Sequence, residues 1–486
     1  MGTKPQLKEE VAAGTQWTMG EKIATALVHF VVRILILRLL MPEDLKVLAL
    51  LLAFASFALV MVDSGFSQML LRKQQPTPSD YRSVFGYNLV VSAVLYLLLV
   101  ACAPLLARYY AMPILGEVAT LFFLMIPLNA LCVLQQTIFT RQFRFALISK
   151  ITFTAQLISG LSAVALAYAG FGVWALVWQQ VLLMAVRALL LWVLGSWRPK
   201  GRGSLGALRE MAPYSLSVMA SDLITAIYNK VPQLFLGKIY ADATLGYYDQ
   251  AIKLKELPVQ SALQSVQVVT FPALARIADE QPKFAESYRQ VLMMVAFAIF
   301  PVMIGMAAVA HDLFAVLLGE QWMPTVPLFE VVCLAGLFTP LAMMAYNVLK
   351  VKAEGRLIVR LELLKKAVMT LLLALSIPRS VEAVVWALVL SAAFDFGVNL
   401  FASLPLAQLS FGRVVRTLLP IVVVTGAMYG AVRSVPCLLH EVSAVRLIVE
   451  IVVGVIVYGG LAWLFRLEAL REAIQLLRNQ LKKSPR

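Results

Sequence analysis

Charge is what this chain has least of. Only 14% of its 486 residues are Asp, Glu, Lys or Arg, while 61% are hydrophobic, and mean hydropathy is +0.83. A soluble protein of this length exposes about twice that share of charge, so water is not the main solvent of this surface. Cysteine is almost missing. Cys102, Cys132, Cys333 and Cys437 stand far apart with no CxxC pair, which argues against a disulfide framework and a thiolate zinc site. His29, His311 and His440 lie in three separate segments, so no metal site and no cofactor are expected. GxSxG, HExxH, Walker A and GxGxxG do not occur in a supporting context. That disfavours an enzyme and removes an attached ATPase. The turns on one side of the apolar runs are too short for the large extramembrane loop of a membrane glycosyltransferase or polymerase. Met1–Gln16 is polar and the first apolar run is long for a signal core, so no cleavable signal is expected.

What is present is apolar and long. Runs of about 18–25 residues rich in Leu, Ala and Met match the roughly 20 residues that a spanning helix requires. In hydrocarbon every backbone amide needs an internal partner, which leaves helices or closed barrels, and these runs do not alternate as barrel strands do. The reading is an all-α integral membrane protein with about fourteen spans, from 17–40 and 45–62 through 211–237 and 244–275 to 413–433 and 443–465. The net charge of +15 is not a nucleic-acid signature, because no basic run is interleaved with exposed aromatics on a polar domain. Instead, the 42 Lys and Arg sort by turn: 27 fall on one side of the expected spans, 6 on the other and 9 inside them. That alternation puts the basic side, with both termini, in the cytoplasm.

Near the middle, Gly195–Glu210 is polar and basic and reads as a linker. With weak similarity between segments about 200 residues apart, it suggests two pseudo-symmetric six-helix bundles, 1–196 and 211–410, joined by a cytoplasmic linker at 197–210. Repeated halves of this kind rock around a central site in many transporters. Two extra helices over 411–465 follow. In the tail, 466–486, Leu467, Leu470, Ile474, Leu477 and Leu481 recur at helical spacing among basic residues, as in an amphipathic helix on anionic membrane lipids.

Ionisable side chains inside spans cost about 2.5–3.5 kcal/mol each on insertion scales and so usually face a partner or a wet cavity. Span one carries Thr25, His29 and Arg33 on one stripe. Span seven carries Ser215, Asp222, Thr225, Asn229 and Lys230, and span eight carries Asp249, Lys253, Lys255 and Glu256. Arg187, Lys365, Lys366, Asp395 and Asn399 lie in other spans. The expected substrate-binding cavity is lined by His29, Arg33, Asp222, Asn229, Lys230, Asp249, Lys253 and Lys255. Cations outnumber acids there, which suits an anionic cargo. The competing reading of Asp249–Lys253–Glu256 is a self-neutralising i,i+4 set. Arg38 reads as snorkelling, and Asp63-Ser64-Gly65 as the turn ending span two.

Several runs together resemble the Wzx-type polysaccharide transporters of the MATE/MOP superfamily, including the colanic-acid exporter group. They are Pro213-Tyr214-Ser215, Leu245-Gly246-Tyr247-Tyr248-Asp249-Gln250-Ala251, Leu257-Pro258-Val259-Gln260 and Phe271-Pro272-Ala273-Leu274-Ala275-Arg276. Arg38-Leu39-Leu40-Met41-Pro42-Glu43-Asp44, Asp63-Ser64-Gly65-Phe66-Ser67-Gln68 and Leu317-Leu318-Gly319-Glu320-Gln321-Trp322 extend the resemblance over roughly residues 15–410. The resemblance implies twelve to fourteen helices and alternating access across a bacterial inner membrane. The implied cargo is a polyprenyl-pyrophosphate-linked oligosaccharide repeat unit for exopolysaccharide, capsule or O-antigen. Implied partners are membrane lipids, H+ or Na+ as coupling ion, and a polysaccharide polymerase with its chain-length regulator. Arg33, Lys253 and Lys255 fall outside the quoted motifs, so their assignment rests on the cavity argument alone. Competing readings are a cation-coupled MATE-type drug antiporter, which would want a more acidic cavity, and a peptidoglycan-precursor flippase.

Overall fold

The computed structural model describes residues 31–63, 65–142, 144–199, 203–240, 244–439 and 441–483. The side chains of 261–273, 275–276, 355 and 476–483 are not part of that description. Among the described residues the chain is helical throughout, with no strand. The start of the first expected span, with His29, lies outside them; α1 is its described part, residues 31–39.

The helices that follow are α2 (Pro42–Asp63), α3 (Phe66–Arg72), α4 (Pro78–Tyr110), α5 (Pro113–Phe123), α6 (Met125–Arg141), α7 (Phe145–Tyr168), α8 (Val173–Leu194) and α9 (Leu205–Ile239). Then come α10 (Thr244–Arg276), α11 (Gln281–Ala308), a short α12 (Ala310–Leu313) running into a π-helical turn, and α13 (Thr325–Lys352). The last five are α14 (Gly355–Ser376), α15 (Val381–Ala407), α16 (Phe411–Leu438), α17 (Ala444–Leu464) and α18 (Glu468–Lys483).

Ten helical segments among the described residues are long and apolar enough to cross a membrane, against the fourteen expected. The difference has a physical cause. Apart from the first span, the runs that drop out are α9, α10 and α14. At 35, 33 and 22 residues they are long enough, but they carry the polar and ionisable side chains that lower hydropathy.

The chain divides into two compact units, Met1–Gly246 and Tyr247–Arg486. In the first, α2 is the core: Leu50, Leu51, Ala53 and Ala55 are fully buried. α9 packs on α2, α3 and α4 and so is grouped with this unit, beyond the polar stretch at 197–210. That stretch is pinned rather than loose in its described parts. Gln135 donates to the Trp197 carbonyl at 3.0 Å, Arg198 donates to the carbonyls of Gly195 and Trp192 at 2.7 Å, and the Ser204 amide donates to Ser83 Oγ at 2.7 Å. Phe85, Trp192 and Trp197 meet beside it in tilted and edge-to-face contacts.

The second unit is built on α11, α13 and α15. Phe284, Tyr288, Met303, Val348 and Leu400 share one core cluster, and the Tyr288 and Ser403 hydroxyls bond at 2.9 Å. Apolar association alone gives membrane helices little reason to pack, because lipid is as apolar as Leu, so such polar ties and close approaches matter.

Within each unit the connections gather at two ends, as alternating spans require. In the first, Arg141 caps α3 by donating to the carbonyls of Leu70, Lys73 and Gln74, and Lys73 pairs with Asp80 at 3.0 Å and Glu210 at 3.4 Å. At the opposite end Lys46 donates to the Tyr240 carbonyl, and Lys238 lies over the Tyr109 ring. In the second unit Arg289 joins Glu286 and Glu468 at one end, while Arg446 joins Asp312 at the other.

α2 ends at Asp63, where the sequence leads one to expect a turn, and Gly65 precedes the short α3. Gly65 has φ +69°, and a Cβ there would stand 2.7 Å from the Ser215 carbonyl oxygen and 2.8 Å from Val218 Cβ of α9. Glycine is required both by the left-handed backbone and by the contact. A second break separates α5 from α6 at Leu124, with Pro127 in the first turn of α6, where its missing N–H costs nothing.

Candidate functional site

The polar stripe of α9 is displayed as its spacing implies. Asp222 and Asn229 lie two turns apart on one face with Thr225 between them, and all three are exposed. No residue from Leu216 to Val231 is buried, whereas both ends of α9 are anchored, by Met211 and Ser215 on one side and by Pro232, Gln233, Leu236 and Gly237 on the other. Its exposed middle has two sides: Leu216, Ile224 and Ile227 make an apolar one, whereas the face of Asp222, Thr225 and Asn229 is poorly suited to lipid, since an exposed carboxylate in hydrocarbon is costly. It suits a wet surface. Asp63, at the α2–α3 break, lies within electrostatic reach of Asp222, and its Oδ1 is buried with no hydrogen-bond partner among the described residues.

Lys230 and Arg33 are half-buried, each with interactions of its own. In α1 the stripe Val32, Ile36 and Leu40 is buried, with Val32 set against Gly160 of α7, and Arg33 sits at its edge. Arg38 is exposed on the other side. His29 lies outside the described residues.

In the second unit, Asp249 and Lys253 pair at 2.6 Å, one turn apart on α10, with the carboxylate side chain only 2% exposed. Lys255 is half-buried and points elsewhere, within electrostatic reach of Glu256 and of Cys333 on α13. The set therefore divides in two: Asp249 and Lys253 neutralise each other, and Lys255 stands apart from them.

A further polar cluster lies between α13, α14 and α15, formed by residues visible in the sequence but not joined there into a group. The Lys365 ammonium, 7% exposed, donates to Glu362 at 2.5 Å and to Asn399 Oδ1 at 3.2 Å, and lies 5.1 Å from the Tyr346 ring centre. Asn399 in turn donates to the Ala342 carbonyl at 3.1 Å. Asp395, on the same helix as Asn399 and one turn before it, is within electrostatic reach of Lys365 and Lys366. The signal in the sequence is a Lys-Lys pair inside an apolar run, followed one helix later by Asp and Asn four residues apart.

Three sets of comparisons bear on what these units are. The family model described as "Polysaccharide biosynthesis protein" matches residues 35–327, more than half the chain. Among curated proteins, the chain is 22% identical over 359 residues to the teichuronic acid biosynthesis protein TuaB of Bacillus subtilis, covering 73% of this chain and 74% of that protein. It is 24% identical over 331 residues to the succinoglycan biosynthesis transport protein ExoT of Rhizobium meliloti, covering 68% and 67%. Among solved structures, the lipid II flippase MurJ in an inward closed conformation superposes with a TM-score of 0.69 at 14% identity, over 93% of this chain and all of that one. At that identity the likeness speaks to the fold alone.

Proposed function

The chain belongs to the polysaccharide biosynthesis protein family, in its Wzx-type branch, and from that premise we propose that it flips a lipid-linked oligosaccharide across a bacterial cytoplasmic membrane. The cargo in this reading is a repeat unit joined to a polyprenyl pyrophosphate. The sugar moves through a wet path while the lipid tail stays in the bilayer. The unit emerges on the outer face, where a polymerase and its chain-length regulator consume it for exopolysaccharide, capsule or O-antigen. An H+ or Na+ gradient, or that consumption, supplies the direction.

The observation that carries this reading is the exposed polar face of Asp222, Thr225 and Asn229 on α9 in an all-α membrane fold. Asp222, Thr225 and Asn229 offer hydroxyl-binding acceptors and donors of the kind that sugar recognition uses. In the first unit Arg33 and Lys230, with His29, supply the basic groups for phosphate; in the second Lys255 does so. Asp249 and Lys253 enter as a neutral pair. Both termini face the cytoplasm, as the alternation of basic turns requires.

Deleting the gene and separating the lipid-linked intermediates tests the proposal. The expected result is loss of surface polysaccharide with accumulation of cytoplasm-facing repeat units. Unchanged polysaccharide with altered drug susceptibility would replace this reading with the drug-antiporter one.

A further inference from the structure

Arg187 is the one charged side chain of α8, seven residues or about 10 Å short of its end at Leu194. A guanidinium inside a span is costly unless a partner or a wet surface receives it. This one does not reach for the helix end. Its Nη2 donates across to Gln136 Oε1 of α6 at 2.5 Å. That partner is neutral. Among the described residues no carboxylate stands within ion-pair distance of Arg187, and the group its field reaches on α6 is the buried Cys132 thiol. Nor does Arg187 lie on the lipid side of its helix. Leu189, 62% exposed, comes two residues later and so about 200° round the helix.

α6 and α8 run parallel and in register here: Cys132 Sγ lies 3.8 Å from the Met184 carbonyl oxygen, and one turn on Gln136 meets Arg187. Each helix carries a carboxamide two turns earlier on the same side. Asn129 of α6 comes seven residues before Gln136, and Gln180 of α8 seven before Arg187. The matching offsets put Asn129 and Gln180 at one level, about 10 Å from the Gln136–Arg187 pair. All four are half-buried, as is Thr140 one turn beyond Gln136. Neither helix has an acidic residue. The strip therefore holds three carboxamides, a hydroxyl and one cation without a matching anion.

Polar ties between membrane helices account for a bond of this kind, but a neutral pair would make it at lower cost. The chemistry of the whole strip fits a ligand better. Carboxamides present both donors and acceptors, as sugar hydroxyls require, and a planar guanidinium takes a carboxylate through two parallel bonds. One cation matches one carboxylate, whereas a pyrophosphate brings more than one negative charge to a strip with a single positive one. We propose that the α6–α8 strip is a glycan subsite for an acidic sugar, a uronate, with its carboxylate on Arg187 and neighbouring hydroxyls on Gln136, Asn129 and Gln180. The proposal rests on the flippase reading for why a glycan reaches this strip, and adds that the repeat unit is acidic.

Calorimetric titration of the purified full-length protein in detergent tests this, with tetragalacturonate, maltotetraose and inorganic pyrophosphate as probes. Tetragalacturonate should bind, and maltotetraose about tenfold more weakly, the usual worth of a charge-assisted bond. Gln136→Glu gives Arg187 the carboxylate it lacks. Its melting temperature should hold or rise, while tetragalacturonate affinity and export in a complemented deletion strain both fall about tenfold. Arg187→Lys should keep more affinity than Gln136→Glu. No binding of tetragalacturonate, equal binding of maltotetraose, or wild-type affinity or export in Gln136→Glu would overturn the proposal. Displacement of tetragalacturonate by an equal concentration of pyrophosphate would also overturn it, by giving the strip to the phosphates of the carrier lipid. The binding arm needs no transport, so uronate binding by a protein that fails to flip its cargo would count against the flippase reading alone.

Discussion

Lys253 holds Asp249 at 2.6 Å, one helical turn away on α10, so a cation that the sequence offers to an anionic cargo is already neutralised within its own helix. The pair has an energetic consequence because the carboxylate is buried. Removing one partner of a buried pair leaves the other charge uncompensated, at a cost of about 3–5 kcal/mol. Lys253→Met should therefore lower the melting temperature clearly, and the Asp249→Asn/Lys253→Met double variant should recover most of the loss. Thermal unfolding in detergent measures both; equal losses in the single and double variants would show that the two side chains are not coupled.

Asp222 and Asn229 are expected to behave in the opposite way. Both are exposed on α9, so Asp222→Ala and Asn229→Ala should leave thermal stability within about 0.5 kcal/mol of wild type. Polysaccharide export in a complemented deletion strain should nevertheless fall at least about tenfold, which corresponds to the loss of one hydrogen bond to a charged or polar partner in a wet path. Full export by both variants would remove the α9 face from the transport path.

Gly65→Ala tests the turn between α2 and α3. The alanine must adopt a left-handed backbone, at about 1–2 kcal/mol, while its Cβ meets the Ser215 carbonyl at 2.7 Å. The variant should unfold earlier by more than the backbone term alone. A variant as stable as wild type would mean that α2 and α3 do not approach α9 as described.

Arg446 and Asp312 join residues 134 apart, with side chains 6% and 2% exposed. Burial pushes the Asp312 carboxyl up, but hydrogen bonds from Arg446 and His311 outweigh it and hold the group below its usual value of 3.8. A folded value below the unfolded one means that the pair's stabilisation is complete above the unfolded value and is lost as pH falls through the folded one. Asp312→Asn should cost about 3–5 kcal/mol near neutrality, and its difference from wild type should shrink on acidification through the carboxylate range. Melting temperatures across that range decide it; a pH-independent difference would contradict the assigned charge state.

Much of the fold was legible because membrane helices announce themselves through length and apolar composition. The exceptions have physical reasons. α9, α10 and α14 carry Asp222, Asp249, Lys253, Lys365 and Lys366, the same groups that make them functionally interesting and too polar to count as spans by hydropathy. Asp63-Ser64-Gly65 looks locally like a turn. It is one, and only the contact with Ser215, 150 residues later, shows why its residue 65 has to be glycine. The 197–210 stretch looks loose by composition, yet Ser83 and Gln135 pin it through contacts that no local pattern contains. For the site, the α9 face followed from periodicity alone, whereas the Asp249–Lys253 pairing required a choice between cavity and self-neutralisation that only rotamers resolve. The Lys365–Glu362–Asn399 network needed the packing of α14 on α15.

The central claim is movement of a lipid-linked oligosaccharide between leaflets, and purified protein in liposomes tests it most directly. Liposomes loaded in both leaflets with a polyprenyl-pyrophosphate-linked repeat unit are treated from outside with a glycosidase that cannot cross the bilayer. The account predicts that digestion runs past the outer-leaflet pool to completion with wild-type protein, and stops at that pool with Asp222→Ala protein and in protein-free liposomes. Digestion that stops at the outer-leaflet pool with wild-type protein, in the presence of either a proton or a sodium gradient, would contradict it.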